Sequence, residues 1–330
     1  MPKHIMVAAE QRDGTIANVS LELLGIAREL APDGCIVSAV ICGSELGKQP
    51  GLLAGHGADK VFVLDDFCFK KYTTDAYAQG MYGIILREKP DVVLFGATSI
   101  GRDLAPRLSA RLNTGLTADC TKLELDGEGN LLMTRPAFSG NLFATIICPE
   151  HRPQMSTVRP GVMRKLPFDA NRTAEIIAEK THHIVTTAGV KIISETLSER
   201  REENIEDTKV LISMGRGASS PETVACAKRI AKILGGEVSS SRALVDEGIM
   251  PSARQVGQTG KTVRPIIYMA NGISGAVQHV AGMEEAEYII AINSDPDAPI
   301  FSVSHLGIVG DANKILPLIE QRLKARNTEI

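Results

Sequence analysis

A chain of 330 residues is longer than one hydrophobic core usually supports, and its 44% apolar and 23% charged residues are those of an ordinary globular protein. A formal net charge of −3, with basic residues scattered or matched by nearby acids, offers nucleic acid no bulk attraction, and the absence of Trp removes the usual stacking platforms. No apolar run approaches the roughly 18 residues of a membrane helix, so no membrane insertion is expected. The opening MPKHIMVAAE runs into a strand pattern without a basic leader, which points to a cytoplasmic location.

In chain order, HIMVAAE reads as a buried strand, and ANVSLELLGIARELA sets Val19, Leu23, Ile26 and Leu30 at helical spacing. A Pro-Asp-Gly turn at 32–34 ends that helix, and CIVSAVIC is the next strand. The rhythm repeats with LGKQPGLLAGHGA as a short helix, KVFVLDD as a strand, a helix over about 75–89, DVVLFGA as a strand and a helix around RDLAPRLSARL. Alternation of this kind predicts a parallel sheet covered on both faces. After Thr114 the segments become strand-rich, KLELDGEGNLLMTRPA and NLFATIICPE, with EGN marking a hairpin turn. The six cysteines never fall two or three apart and mostly sit inside apolar runs, which suits core packing rather than a metal or iron–sulfur site.

Between about 170 and 208 the chain turns polar. The expected organisation is an α/β domain over 1–190, a linker over 191–207 and a second α/β domain over 208–330. In the second domain KVLISMGRG is a strand running into a glycine turn. SPETVACAKRIAKILGG is a helix with Ser220 as N-cap, Pro221 at its first position and Gly235-Gly236 at its end.

The candidate chemistry lies in this half. Glycines 215 and 217 permit close backbone approach, and Arg216 between them can grip an anion, although G-R-G also suits a surface turn. Ser241 and Arg242 after a short strand can donate to a phosphate or equally open a surface helix. VGQTGK (256–261) lacks the spacing of a nucleotide-hydrolysing P-loop. PIIYMANGISGAVQHVAGM reads as a strand, a Gly272-x-x-Gly275 turn and a helix starting near Gly275, a junction whose free amides suit a pyrophosphate. His279 lies one turn inside that helix, where a packed ring and a ligand contact are both open. YIIAIN ends at Asn293, the ligand-facing end of a parallel strand. Asp311 serves either a ribose or a helix cap. No catalytic triad, acid–base pair or metal site emerges.

Taken in order, G215-R216-G217, S241-R242, VGQTGK, YMANGISGAVQHVAGM, IAINSDPDAPIF and LGIVGD resemble the series found in electron transfer flavoprotein alpha subunits. That resemblance covers the second domain throughout, and the first fits in length and pattern. It implies two Rossmann-like domains, the C-terminal one a doubly wound parallel-sheet FAD-binding domain, with the N-terminal one as the beta-subunit interface. It also implies one FAD here, a second FAD or AMP in the beta subunit, and electron exchange with an acyl-CoA dehydrogenase. By position, Arg216, Ser241, Val256, Gly257, Gln258 and Thr259 would contact FAD. Ser274, Gly275, Ala276, Val277, Gln278 and His279 would line its ring and phosphates, while Asn293, Asp311 and Ala312 would hold the adenosine side. Arg242 and an imidazolium at His279 would flank the flavin ring. Asn271, Ser239-Ser240 and His305-Leu306 depart from the family pattern without removing an expected contact.

TGLTADC, TRPAFSGN and RPQMSTVRPG further resemble anaerobic, NADH-oxidising, electron-bifurcating members, with Arg135, Arg152 and Arg159 as candidates for an interface or a second nucleotide site and surface salt bridges as their plainer role. On that reading the beta subunit brings NADH and the pair also serves ferredoxin or flavodoxin, with oxidoreductase activity only in the assembled complex. A non-bifurcating carrier feeding a quinone reductase is the first alternative. A lone nicotinamide dehydrogenase should show a true G-x-G-x-x-G with an acidic residue about 20 positions on, and a non-redox nucleotide-binding scaffold should be colourless.

Overall fold

The computed structural model describes residues 1–12, 14–137, 142–182, 184, 192–194 and 204–327. Two compact units emerge, one built from Met1–Phe138 and Leu142–Glu195, the other from Thr196–Ile330. Most of the connector expected over 191–207 lies outside the described residues, as does the end of TRPAFSGN. No described helix is long and apolar enough to cross a membrane.

The first unit runs β1 (His4–Ala9), β2 (Gln11–Arg12), β3 (Thr15–Ile16), α1 (Asn18–Leu30), β4 (Ile36–Gly43), α2 (Gln49–Gly55), β5 (Lys60–Asp65), α3 (Thr74–Glu88), β6 (Val92–Gly96) and α4 (Ser99–Leu112). It continues with β7 (Leu116–Cys120), β8 (Lys122–Leu125), β9 (Leu131–Ala137), β10 (Leu142–Ile146), β11 (Gln154–Val158) and β12 (Glu175–Ala178). Seven strands form a parallel sheet in the order β12-β5-β4-β1-β6-β11-β7. Every residue of β1 is buried, because Ile5 and Val7 enter the core under α1 and α2 while Met6 and Ala8 enter the core under α3 and α4. The EGN turn joins β8 to β9, which pairs in turn with β10 in a small antiparallel sheet.

The strand pattern failed to show β11, because Gln154, Ser156 and Thr157 hide an all-buried strand behind polar side chains. Hydrogen bonds explain the burial of two of them: the Gln154 amide accepts from the Leu131 N–H at 2.8 Å, and the Thr157 hydroxyl accepts from the Asp119 N–H at 2.9 Å. Two of the three singled-out arginines are spent on the same architecture. Arg159 is buried and grips Asp119 through Nε at 3.2 Å and a second nitrogen at 2.7 Å. Burial opposes the Asp119 charge, but the hydrogen bond and charge of Arg159, helped by Arg102 and Arg135, hold its carboxyl below the ordinary range. Arg152 donates to the carbonyls of Cys148, Pro149 and His151 and so closes a turn. All six cysteines are unpaired thiols, and Cys35, Cys42, Cys120 and Cys226 are buried.

The second unit runs β13 (Val210–Met214), α5 (Pro221–Ile233), β14 (Glu237–Ser240), α6 (Arg242–Asp246), β15 (Ile267–Asn271), α7 (Val277–Val280), β16 (Tyr288–Asn293), β17 (Leu306–Val309) and α8 (Ala312–Asn327). Its five strands are parallel in the order β14-β13-β15-β16-β17. The Ser220 hydroxyl accepts from the Thr223 N–H and caps α5, as expected. One face of the sheet packs under α5 and α8, which the Arg229–Glu320 pair ties together at 2.7 and 2.8 Å. Leu211, Tyr268, Ala270 and Ile289 cover the other face with Val256, Ile273, Met283 and Ile300.

Gly25 in the middle of α1 gives a stability test with a defined sign. Helix propensity alone makes Gly→Ala favourable by about 1 kcal/mol. A β-carbon there would meet the Arg164 carbonyl oxygen at 2.0 Å, however. Gly25→Ala should therefore destabilise the first unit by about 1–3 kcal/mol in urea unfolding, and a gain in stability would refute the packing described.

Candidate functional site

Two neighbouring parallel strands whose chain leaves toward opposite faces must part at their carboxyl ends, and open α/β sheets place ligands in that gap. In the second unit those strands are β13, which leads to α5 on one face, and β15, which leads to α7 on the other. A cavity of about 650 Å³ opens there, within the size range of small-molecule sites.

Its floor is backbone against backbone. The Gly215 N–H donates to the Asn271 carbonyl at 2.8 Å, and the Gly217 N–H donates to the Gly272 carbonyl at 3.1 Å. Gly272 takes φ +63°, and a β-carbon on it would lie 2.6 Å from the Ala218 nitrogen. One on Gly215 would lie 2.3 Å from the Gly272 oxygen. Glycine is thus required on both sides of the gap, and a ligand can approach the main chain there.

VGQTGK forms the second wall as a loop closed on itself. The Lys261 N–H donates to Gln255, the Gly257 N–H to Lys261, and the Gln255 side-chain amide to the Thr259 hydroxyl at 2.9 Å. It is clamped to the segment after β15 by the Gln258 N–H on the Gln278 carbonyl at 2.7 Å and the Val263 N–H on the Gly282 carbonyl at 2.8 Å. Gly257 at φ +139° would place a β-carbon 2.8 Å from that Gln278 oxygen.

Of the sixteen site residues expected from sequence, Arg216, Ser241, Arg242, Val256, Gly257, Gln258, Thr259, Ser274, Ala276, Gln278, His279 and Asn293 come together around the cavity. Gly275, Val277, Asp311 and Ala312 do not line it. Gly275 packs on the backbone of Ile300, Val277 points to solvent, and Ala312 lies in the core under α8. Hydrogen bonds from Asn313, through its side chain and its N–H, hold the Asp311 carboxylate down in pKa, so it serves the start of α8. Asn293 is engaged at both ends of its amide, donating to the Ile273 carbonyl and accepting from the Asp295 N–H. Gln255, Ile273 and Ala243 also line the cavity without having been singled out; each adjoins a motif that was.

The helix expected from Gly275 is a single turn, Val277–Val280, too short to bring a helix dipole to a phosphate. Positive charge comes from side chains instead. Arg216 is exposed at the rim, and Arg242 is held to Asp246 at 3.3 Å. His279 is 7% exposed, and its Nε2 lies 2.9 Å from the hydroxyl of the fully buried Tyr268. Burial pushes the imidazole down to about 4, against an upward pull from the Val256 backbone. The ring is therefore neutral at pH 7 in this chain, where an imidazolium was expected.

These residues fit FAD. The glycine-edged gap admits a main-chain approach, Arg216 and Arg242 bring positive charge to an anionic ligand, and His279 Nδ1 is a buried polar atom for which the chain provides no well-formed hydrogen bond. Comparisons with known proteins agree. The profile of the electron transfer flavoprotein domain matches residues 5–183, and that of the electron transfer flavoprotein FAD-binding domain matches residues 204–284. An electron transfer flavoprotein subunit alpha of Thermoanaerobacterium thermosaccharolyticum is 48% identical over 98% of both chains. The chain belongs to the electron transfer flavoprotein alpha-subunit family. The corresponding subunit of Clostridium acetobutylicum is 46% identical, again over 98% of each chain. A protein of Anaerotignum propionicum named acryloyl-CoA reductase electron transfer subunit beta is 43% identical over 98% of this chain and 96% of its own length. An FAD-binding domain is thus present in this chain, and electron transport is its family's business.

The neutral His279 has a consequence for stability. Its pKa falls from 6.5 in the unfolded chain to about 4 in the folded one. Its contribution is complete above pH 6.5 and is lost as pH falls toward 4, by up to about 3 kcal/mol. Urea unfolding at pH 7.5 and pH 4.5 should show a smaller acid loss in His279→Gln than in the wild type; equal losses would show that the ring titrates normally.

Proposed function

We propose that this chain is the FAD-holding half of a heterodimer with an electron transfer flavoprotein beta subunit, and that the pair takes electrons from NADH, passing one to ferredoxin or flavodoxin and one toward an acyl-CoA dehydrogenase. Bound FAD supplies redox chemistry that no side chain offers. The chain's own residues seat it and set its surroundings. Gly215, Gly217 and Gly272 let the main chain meet it, Arg216 and Ser241 hold its anionic portion, and the loop Val256–Thr259 covers it. Arg242 supplies a cation beside the ring, once it leaves Asp246, and so favours negative charge there. His279 faces the ring edge as a neutral group.

One observation carries the bifurcating reading: the similarity, over nearly the whole chain, to an anaerobe's protein whose name couples electron transfer to the reduction of an acyl-CoA. Arg152 and Arg159 lend it no support, since both are engaged within the first unit. Arg135, on β9, adds its charge to the same Asp119 carboxylate.

The test is to co-express the chain with its cognate beta subunit, count FAD, and titrate anaerobically with NADH. Two FAD per heterodimer and flavin bleaching by NADH are expected. One FAD without NADH-dependent bleaching would overturn bifurcation and favour a simple carrier, and a colourless heterodimer would overturn the flavoprotein reading altogether.

A further inference from the structure

A second cavity, of about 740 Å³, opens along β14, the edge strand of the second sheet. It lies at the amino end of that strand, whereas the cavity described above lies beyond its carboxyl end. One wall is the last two turns of α5. Lys228 and Lys232 stand one turn apart on that helix, both exposed, and among the described residues neither has an acidic partner. The other wall is the segment after α6, which brings Ile249, Met250 and Arg254 to the strand. Met250 and Val238 are buried, while Ile249 is left 40% exposed. A β-carbon on Gly235, at φ +64°, would meet no atom within 4 Å, so the turn out of α5 puts no side chain into the opening.

Arg254 makes two contacts here. It donates to the Val238 carbonyl at 3.2 Å, which ties its segment to the edge strand, and it is ion-paired with Glu237. Glu237 is the one carboxylate of the lining, so three cations, Lys228, Lys232 and Arg254, face a single acid. A lysine in the last turn of a helix also suits the helix dipole. That accounts for Lys232, but for neither the cavity nor Arg254, which comes from another segment.

Size and charge together select a class of ligand. Small-molecule sites run from about 300 to 1,000 Å³, and a water takes up only about 30 Å³, so a bare inorganic anion would leave most of this space empty. Three cations less one carboxylate leave the lining a surplus of two positive charges. A phosphate monoester brings about two negative charges at pH 7 and three strong acceptor oxygens. A monocarboxylate brings only one charge.

We propose that this cavity is a binding site for a small phosphorylated molecule, its phosphate held by Lys228, Lys232 and Arg254 and its apolar body lying against Ile249 and Met250. Arg254 trades the Glu237 carboxylate for the phosphate and keeps its hold on the Val238 carbonyl. The site does not depend on the reading of the first cavity as the FAD seat.

Calorimetric titration of the full-length chain, with FAD in excess to fill the first cavity, tests this with three probes: 1-naphthyl phosphate, inorganic phosphate and 1-naphthoate. Naphthyl phosphate should bind at one site, and the other two at least tenfold more weakly. Lys228→Gln with Lys232→Gln changes two exposed helix positions and leaves the core untouched. It should weaken naphthyl phosphate at least tenfold, the worth of one hydrogen bond to a charged group or more. Glu237→Gln frees Arg254 and should tighten binding severalfold. No saturable binding of naphthyl phosphate would overturn the proposal. Naphthoate binding as tightly would reduce the cavity to an apolar cleft, inorganic phosphate binding as tightly would reduce it to an anion patch, and either result overturns it. So does binding that the lysine substitutions leave unchanged, which would put the probe elsewhere on the chain.

Discussion

The second unit depends on one close approach, that of the turn after β13 to the turn after β15. These adjacent strands send the chain to opposite faces of the sheet, so their ends must separate. The separation stays narrow because Gly215, Gly217 and Gly272 hydrogen-bond main chain to main chain with no side chain between them. Everything else in the site is placed relative to that floor. Loop 255–261 reaches it by closing on itself and pairing Val256 with the end of β14. His279 reaches it on a single helical turn clamped to the same loop. Side chains on either glycine turn would push the strand ends apart and remove the main-chain surface that a dinucleotide needs.

On this floor the charges are arranged sparingly. Arg216 and Arg242 are exposed at the rim, where they keep their hydration until a ligand arrives, and Arg242 has an acidic neighbour to leave. Deeper in, where a charge would be costly, the chain puts a neutral imidazole backed by hydroxyl groups. The contrast suits two tasks on the proposed reading: rim cations would answer the ligand's charge, and the buried polar groups its hydrogen-bonding pattern. Asn271 and the Ser239-Ser240 pair, which depart from the family pattern, are all fully buried in these strands, so the departures enrich the polar layer beneath the cavity without reaching into it.

Much of this was legible in the sequence because it is carried by local signals. Strand–helix alternation gave both parallel sheets, and Ser220, Pro221 and Gly235 bounded α5 where expected. The glycine-bearing motifs named most of the cavity wall because glycine was needed at each turn. What stayed hidden was non-local. β11 reads as polar because its Gln154 and Thr157 answer main-chain groups of β9 and β7, a need invisible until those strands are neighbours. The fate of Arg159 depended in the same way on Asp119, a partner far along the chain. Spacing suggested a full helix after Gly275, but the chain turns away after Val280 to pack Met283 into the core. The neutral state of His279 follows from burial against Tyr268, eleven residues away on another element.

The central claim is that FAD sits across the β13–β15 gap and is held largely by main chain. Amide hydrogen exchange of the full chain, compared with and without FAD, addresses it directly. Protection should concentrate in three short stretches, Gly215–Gly217, Val256–Thr259 and Gly272–Ser274. Binding that leaves those amides unchanged while protecting the first unit, or the groove between the end of α5 and Arg254, would contradict the account.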